Sequence, residues 1–308
     1  MAKNTITRYS VNTAKNINFD SPNRIDWVSL IHTCQTELPK AQKKTGIPAS
    51  ITITLSETIT VSKFDPFHIV LLSCLIESIK QKGYVIWIKV LNEELADFIH
   101  SDMNFTQYWK GAKADHIDSP DPSRLNLWRT VEGRDEEYRM SIDRYFSKKY
   151  PGTDFFMLNS CLSELYFNIF DHAEANGVSF SYIHCDDDDI IHIAICDFGK
   201  GIANTMRQAF PDLKDDAAAL AKALEKGVSA KTKGHNAGFG LDNVISCLED
   251  GAKLRIISNT AFLMLSKKEG KVETITRRFP FSFKGSLIYF DLPISSFGRT
   301  EVSDEFTF

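Results

Sequence analysis

Two polar residues stand one helical turn apart in an otherwise apolar or aromatic stretch of this chain. Glu164 and Asn168 belong to the run ELYFNIF at 164–170. In a helix, a spacing of four residues places both side chains on one face. Asn168 can then offer an amide oxygen to Mg²⁺, which takes oxygen ligands together with phosphates. Glu164 can accept a proton from a water that attacks a phosphoryl group. The alternative is two polar residues on a solvent face, and the apolar neighbours argue against it.

A second cluster, DFGKG at 197–201, directly follows the predicted strand IIHIAIC. Asp197 is therefore expected at the end of a strand, at the edge of a sheet. Gly199 and Gly201 allow the backbone to turn sharply and to approach a ligand closely. A carboxylate in this position can accept a hydrogen bond from the exocyclic amine of adenine. The competing interpretation is a plain glycine turn that leaves a strand.

A third cluster, KTKGHNAGFGL at 231–241, opens a predicted helix at 241–248. Glycines beside a helix N-terminus present backbone amides to an anion, and the helix dipole assists the binding. Lys231 and Lys233 could add positive charge near phosphates. The spacing matches neither GxxxxGK[ST] nor GxGxxG in a βαβ unit, so it predicts neither a P-loop nor a dinucleotide-binding fold.

The elements that carry these clusters are predicted in the second half of the chain. A helix at 153–176 precedes two alternating strands at 178–184 and 190–197. Further predicted elements are helices at 202–210, 216–226 and 240–248, and strands at 253–257, 261–265, 272–277 and 285–292. This order predicts an α+β sandwich, with a mostly antiparallel sheet and helices on one face.

The first half of the chain predicts a smaller α/β layer, with a helix at 25–43, strands at 50–57 and 84–90, and helices at 67–80 and 93–101. Residues 1–25 are polar and expected to be mobile. The segment 111–125 contains two prolines and three aspartates and is interpreted as a linker or surface loop. A charged helix is predicted at 134–149. The predicted domains are therefore 1–120, a connection at 121–152, and 153–308.

Composition excludes several classes of protein. The chain carries 36 basic and 40 acidic residues, and 43% of its residues are hydrophobic. This is typical of a soluble globular protein, not a disordered or fibrous one. The slightly acidic balance gives no indication of nucleic-acid or membrane binding. The N-terminal residues contain no apolar h-region, so a secretory signal is not expected, and no apolar run approaches the ~20 residues of a bilayer span. The six cysteines form no CxxC pair and are expected to be buried free thiols. The predicted location is the cytoplasm.

Taken together, the three clusters resemble the nucleotide-binding domain of the GHKL ATPases, the superfamily of gyrase, the heat-shock 90 chaperones, histidine kinases and MutL. ELYFNIFDHA at 164–173 resembles the N box, DFGKG the first glycine box, and GFGL at 238–241 the second. Gly285 and Ser286, shortly before YFDLP, resemble the last strand, with Ser286 in place of the usual Thr. The resemblance covers 135–295 and implies a Bergerat-type sandwich with a mixed, mostly antiparallel sheet.

The resemblance also implies roles for individual residues. It makes Glu164 the general base, Asn168 the Mg²⁺ ligand and Asp197 the acceptor for adenine N6, with Gly199 and Gly201 shaping the adenine pocket. The remaining residues assigned to the nucleotide are Asp171, His172, Lys231, Lys233, Gly238, Phe239, Gly240, Leu241 and Ser286. Asp171 stands where histidine kinases commonly carry Lys, and a structural hydrogen bond is the alternative for His172. Residues 204–237 would form a mobile lid.

Three functions remain open at this point. The first is Mg²⁺-dependent ATP hydrolysis that drives lid closure and regulates a protein partner. The second is a protein serine/threonine kinase, because GVSAKTKGHNAGFGLDNV and KGSLIYFDLP resemble anti-sigma-factor kinases, and residues 48–112 faintly resemble a STAS-like domain. The third is a nucleotide switch without hydrolysis. A homodimer is also left open. A sensor histidine kinase is disfavoured because no phospho-acceptor helix is apparent.

Overall fold

The computed structural model describes residues 16–41, 49–110, 115–119, 125–172, 178–225, 228, 248 and 250–299. Within these ranges the chain forms a three-stranded parallel sheet followed by a five-stranded antiparallel sheet. The two sheets are separated by helices of the first half of the chain, which pack in one apolar cluster with residues of the second sheet. The architecture is therefore α+β, as expected for the second half of the chain.

The N-terminal unit alternates strands and helices. Its elements are β1 (Asn16–Phe19), α1 (Arg24–Glu37), β2 (Ser50–Leu55), α2 (Pro66–Gln81), β3 (Val85–Val90) and α3 (Glu93–Asp97). Short turns of other helical types follow at 98–102 and 105–109. Strand β2 lies between β1 and β3 and pairs in parallel with both. The strand–helix–strand–helix order predicted for 50–101 is therefore present.

Helix α2 is buried on almost every side. It begins at Pro66 because Asp65 accepts a hydrogen bond from the His68 amide at 3.4 Å, while the His68 ring accepts one from the Asp65 amide. Such reciprocal capping fixes a helix start. Thirteen of its 16 residues are buried. A helix with no polar face belongs in a core, and α2 packs against its own sheet and against strands of the second sheet.

The C-terminal unit is built on the five-stranded sheet. Its strands are β4 (Leu125–Val131), β5 (Val178–Cys185), β6 (Ile190–Asp197), β7 (Lys253–Lys268) and β8 (Lys271–Pro293), in the spatial order β4-β5-β6-β8-β7. Its helices are α4 (Asp135–Lys149), α5 (Phe156–His172), α6 (Ile202–Ala209) and α7 (Asp216–Ala223), followed by a short turn at 294–296. All of its strand pairings are antiparallel.

The helices of the C-terminal unit cover one face of the five-stranded sheet, as expected, and helices of the N-terminal unit cover the other. Alternate residues of a strand point to opposite faces. In β6, Ile191, Ile193 and Ile195 pack in the cluster that contains the apolar side chains of α4 to α7. Ala194 and Cys196 pack in the cluster that contains α1 and α2. The N-terminal unit thus serves as the second cover of the sheet.

The structure differs from the sequence prediction in three places. Strand β4 occupies part of the expected connection; its polar Asn126 and Arg129 are buried, which hides the alternation of a strand. Strand β1 occupies part of the N-terminal segment expected to be mobile. The last four predicted strands are two long ones, β7 and β8, because irregular pairing at 258–261 interrupts their apolar pattern.

None of the helices in the described ranges is long and apolar enough to cross a bilayer. Five cysteines, Cys34, Cys74, Cys161, Cys185 and Cys196, are buried free thiols, as expected. Cys247 lies outside the described residues.

Candidate functional site

Helix α5 carries the first candidate cluster. It starts after Asp154, whose side chain accepts a hydrogen bond from the Phe156 amide at 2.8 Å. Glu164 is partly buried on this helix, and the backbone positions of Asn168, Asp171 and His172 follow at four, seven and eight residues. In an α-helix these offsets share one face. The structure thus brings the four sequence-predicted residues to one side of α5; of the last three, only the backbone is described.

Asp197 is the last residue of β6 and is fully buried. Its Oδ1 accepts a hydrogen bond from the Gly199 amide at 2.7 Å, which closes the turn after the strand. Its Oδ2 accepts no hydrogen bond from any residue in the described ranges. The alternation of β6 points this carboxylate to the face that α5 covers. An unused, buried carboxylate oxygen costs free energy unless a donor from outside the protein completes it.

The protonation equilibrium of Asp197 reflects this environment. Burial raises the pKa of its carboxyl to about 7, against the opposing effect of the Gly199 amide and of the polar groups of Ser286. Ser286 lies opposite Asp197 in the β6–β8 pairing and is itself buried. A carboxyl group with such a pKa changes charge near neutral pH, which is a common property of ligand-binding and catalytic groups.

Two glycines allow the backbone to close tightly around Asp197. Gly285 has φ +121°, and a Cβ there would lie 2.0 Å from the carbonyl oxygen of Asp197. Gly201 has φ +84°, and a Cβ there would lie 2.6 Å from the Gly285 carbonyl oxygen and from Ser258 Oγ. Neither position accepts a side chain without a shift of neighbouring backbone or polar atoms. The sequence prediction assigned Gly201 to this site, and the structure adds Gly285 to the same contact.

The N-terminus of α6 is closed by side chains of the sheet. The first helical amides donate to Ser286 Oγ at 3.2 Å, to Ser258 Oγ at 3.2 Å and to Asn259 Oδ1 at 3.1 Å. Asn259 also donates from its side-chain amide to the Lys200 carbonyl at 3.3 Å, and its own backbone has φ +53°. Free amides at a helix start can bind phosphate, but here protein atoms occupy them. Among the described residues, α6 therefore serves the shape of the Asp197 turn rather than an anion.

A buried carboxylate fixes the next helix to the sheet. Asp216, in the first turn of α7, accepts hydrogen bonds from the amide and hydroxyl of Thr260 at 3.0 and 2.6 Å and from Arg207 at 3.2 Å. Burial opposes the charge, but these Thr260 and Arg207 contacts lower the pKa of Asp216. The part of the predicted lid that is described, 204–225, thus consists of α6 and α7 packed against β7.

Sequence reasoning missed Ser258 and Asn259 as parts of the site, whereas Gly285 is singled out with Ser286 through the resemblance. The signal available was the polar run SNT at 258–260 inside an apolar strand. The predicted phosphate-binding residues lie outside the described residues: Lys231, Lys233, Gly238, Phe239, Gly240 and Leu241. No group of three or more His, Cys, Asp or Glu side chains in the described ranges is arranged to hold a metal ion.

Comparison with known proteins gives limited likeness. Neither a protein-family model nor a curated protein matches the chain. Solved structures that resemble part of it include the topoisomerase IV ATP-binding domain of Francisella tularensis with a small-molecule inhibitor, at 15% identity and TM-score 0.31 over 57% of this chain and 45% of that one. The 43K ATPase domain of Thermus thermophilus gyrase B with an aminocoumarin matches at 14% identity and TM-score 0.27, over 55% and 43% of the two chains.

The B-subunit of DNA gyrase from Myxococcus xanthus matches at 12% identity and TM-score 0.26, over 53% of this chain and 44% of that one. The matched region thus spans less than half of each of these structures.

Proposed function

We propose that the C-terminal unit binds ATP, with the adenine base at Asp197. The observation that carries this proposal is the fully buried carboxylate of Asp197 at the end of β6. Its Oδ2 has no hydrogen-bond donor in the described ranges. The exocyclic N6 amine of adenine is a donor, whereas guanine has an acceptor at the equivalent O6 position. A carboxylate acceptor therefore favours ATP over GTP. The tight backbone approach at Gly201 and Gly285 supports a pocket shaped for a flat base.

We further propose that the chain hydrolyses ATP and that Glu164 acts as the general base. Glu164 is partly buried on α5, one turn before the backbone of Asn168, the proposed Mg²⁺ ligand. When bound, Mg²⁺ would neutralise charge on the phosphates. In this proposal the side chains of Asp171 and His172 face the phosphates from the same side of α5. The phosphates themselves are assigned to 231–241, with Lys231, Lys233 and the amides of Gly238 to Leu241.

The binding proposal is tested by calorimetry with ATP and GTP. Replacing Asp197 with Asn removes the charged acceptor, so ATP affinity should fall about 10- to 100-fold, the range for a hydrogen bond to a charged group. Wild-type protein should prefer ATP to GTP. Asp291→Asn, at the other end of the same strand pair, is the matched control and should leave ATP affinity within about twofold. Wild-type protein that binds neither nucleotide would overturn the proposal.

The hydrolysis proposal is tested separately with Glu164→Gln. Phosphate release should decrease at least ~100-fold while ATP binding is retained, as expected for the loss of a positioned base. Glu136→Gln, an exposed residue of α4, is the control and should release phosphate at the wild-type rate. ATP labelled at the γ-phosphate separates the alternatives: label on a partner protein indicates a serine/threonine kinase, and binding without release indicates a nucleotide switch. Partner regulation and a homodimer are examined in the same preparations by size-exclusion chromatography with and without ATP.

A further inference from the structure

The N-terminal unit holds strand β8 directly before Gly285. The Gln35 side chain on α1 pairs with the backbone of Lys284 in both directions, donating to its carbonyl at 2.7 Å and accepting from its amide at 2.8 Å. Two residues earlier in β8, the carbonyl oxygen of Ser282 lies 2.6 Å from Nδ1 of His32, which stands three residues before Gln35 on α1. Helix α1 therefore takes the place of a neighbouring strand along this part of β8.

The same unit also holds strand β6 directly before Asp197. The thiol of Cys74 on α2 donates to the carbonyl of Cys196 at 3.3 Å, and both cysteines are buried. The contact lies on the face of the sheet opposite to the Asp197 carboxylate, because alternate residues of β6 point to opposite faces. Two helices of the N-terminal unit thus bind the backbone one residue before each of the two segments that meet at the proposed adenine site.

These two segments are in rigid contact with one another. Gly285 is packed against the backbone of Asp197 and Phe198, with no space for a Cβ. The ring of Phe198 meets the fully buried ring of Phe283 edge to face, with centroids 5.7 Å apart. A movement of 282–284 therefore changes the position of Gly285 and the Asp197 turn, because packed interiors do not deform continuously.

We propose that Gln35 and His32 are positioning residues through which the N-terminal unit controls the adenine site. They hold β8 in the register that places Gly285 against Asp197, so that loss of these contacts lowers nucleotide affinity. This inference rests on the proposed binding of ATP at Asp197. It assigns the N-terminal unit a positioning role, because the 282–286 segment joins the contacts of α1 to the Asp197 turn.

The test uses the full chain with the double substitution Gln35→Met and His32→Phe. Met keeps the length of Gln without its polar groups, and Phe keeps an aromatic ring near Phe281, whose ring centroid lies 6.0 Å from that of His32. ATP affinity should decrease about tenfold. Hydrogen exchange at the amides of Gly199 and Ser286 should become faster, since both lie at the Asp197 turn.

Two controls separate positioning from general stability. Thr36→Val lies on the same helix, where the Thr36 hydroxyl bonds only to carbonyls of α1, and should change neither readout. Ile53→Val removes one buried methyl group from β2 and lowers stability without a contact to β8. If the double variant loses no more affinity than Ile53→Val at a matched decrease in Tm, the contacts only stabilise the fold and the proposal is overturned.

The exchange measurement keeps this inference distinct from the proposed function. If wild-type protein binds no ATP, the proposed function fails on its own. Faster exchange at Gly199 and Ser286 in the double variant would still support control of the Asp197 turn by α1. Unchanged exchange at these amides would overturn that control, whatever the nucleotide affinity.

Discussion

Strands β6 and β8 lie side by side and carry two aspartates with opposite environments. Asp197 ends β6 opposite Ser286, whereas Asp291 lies near the end of β8 opposite His192. Asp291 accepts hydrogen bonds from His192 at 2.8 Å and from Arg255 at 2.6 Å. Asp197 is the more deeply buried carboxylate, yet one of its oxygens has no donor in the described ranges.

The two carboxyl groups therefore titrate in opposite directions. Burial opposes the charge of Asp291, but the His192 hydrogen bond and the Arg255 guanidinium outweigh it and lower its pKa to about 2. The hydrogen bond with Asp291 in turn raises the pKa of His192, which also pairs with Asp186 at 2.9 Å. For Asp197, burial prevails and the pKa rises to about 7. One end of the strand pair is internally neutralised, whereas the other keeps a buried carboxylate oxygen without a donor in the described ranges.

The paired end also holds the two units together. Arg24 of α1 forms an ion pair with Asp65, and its guanidinium carbon lies 5.0 Å from the centre of the Tyr289 ring. Arg255 lies 5.0 Å from the same ring. Ion pairs and cation–π contacts at this end stabilise the docking of α1 and α2 on the sheet. The Asp291 end is therefore the structural end of the strand pair, and the Asp197 end is the one that we propose for binding.

The largest expected effect is on the backbone contact at the Asp197 end. Gly285→Ala places a Cβ 2.0 Å from a carbonyl oxygen at φ +121°, so we expect a loss of at least about 4 kcal/mol of unfolding free energy. Gly270→Ala has φ +72°, but its added Cβ would meet no neighbouring atom of the described residues within 4 Å, so it should cost only about 1 kcal/mol of unfolding free energy. Urea denaturation measures both. Equal losses would mean that the close approach of Gly285 to Asp197 is not a constraint.

A smaller effect is expected at the paired end. Asp291→Asn leaves His192 and Arg255 without their shared carboxylate, so the free energy of unfolding at pH 7 should fall by about 2 kcal/mol. Asp188→Asn, in the exposed turn after β5, should change it by less than about 0.5 kcal/mol. Urea denaturation at pH 7 compares the two variants. If Asp291→Asn unfolds with the same free energy as wild type, the partners of Asp291 do not stabilise the fold, and the proposed electrostatic difference between the two ends is wrong.

The sequence predicted the Asp197 end of this contrast better than the Asp291 end. A strand of alternating apolar residues followed by DFGKG is a local pattern, so the place of Asp197 at the end of β6 could be predicted. Helix α2 and strands β2, β3 and β5 were predicted within a few residues for the same reason. The capping of the α6 N-terminus by Ser258 and Asn259 joins residues far apart in the chain. The contact of Gly285 with Asp197 does the same. No local pattern encodes such contacts.

The hydrogen-bond partners of Asp291 could not be predicted from the sequence for a related reason. In the sequence, Asp186 belongs to an acidic run that is interpreted as a solvated turn, and His192 alternates with apolar residues in a strand. The pairing of β6 with β8 brings His192 beside Asp291, and the turn after β5 brings Asp186 to the same imidazole. Tertiary pairing decides which of several aspartates is neutralised by a partner, so composition and spacing could not distinguish them.

The most direct test of the contrast is the pH dependence of stability. The carboxyl of Asp197 has a pKa of about 7 in the folded protein and near 3.9 when unfolded, so the folded state binds more protons between these values. Its contribution to stability is greatest below pH 4 and decreases as the pH rises to 7. Asp197→Asn should therefore stabilise the ligand-free protein by about 4 kcal/mol at pH 8 and by almost nothing at pH 4.

Asp291 must behave in the opposite way, because its pKa is lower in the folded protein than in the unfolded chain. Its contribution is fully present above pH 4 and is lost as the pH falls towards 2. Denaturation curves of wild type, Asp197→Asn and Asp291→Asn between pH 2.5 and 8 measure both dependences, provided that each transition remains two-state. A difference between Asp197→Asn and wild type that stays constant across this range would exclude ionisation of Asp197 as its cause. A difference that grows with pH would show that the charge of Asp197 destabilises the ligand-free protein. The free energy lost in this way is what the hydrogen bond from a bound amine can recover.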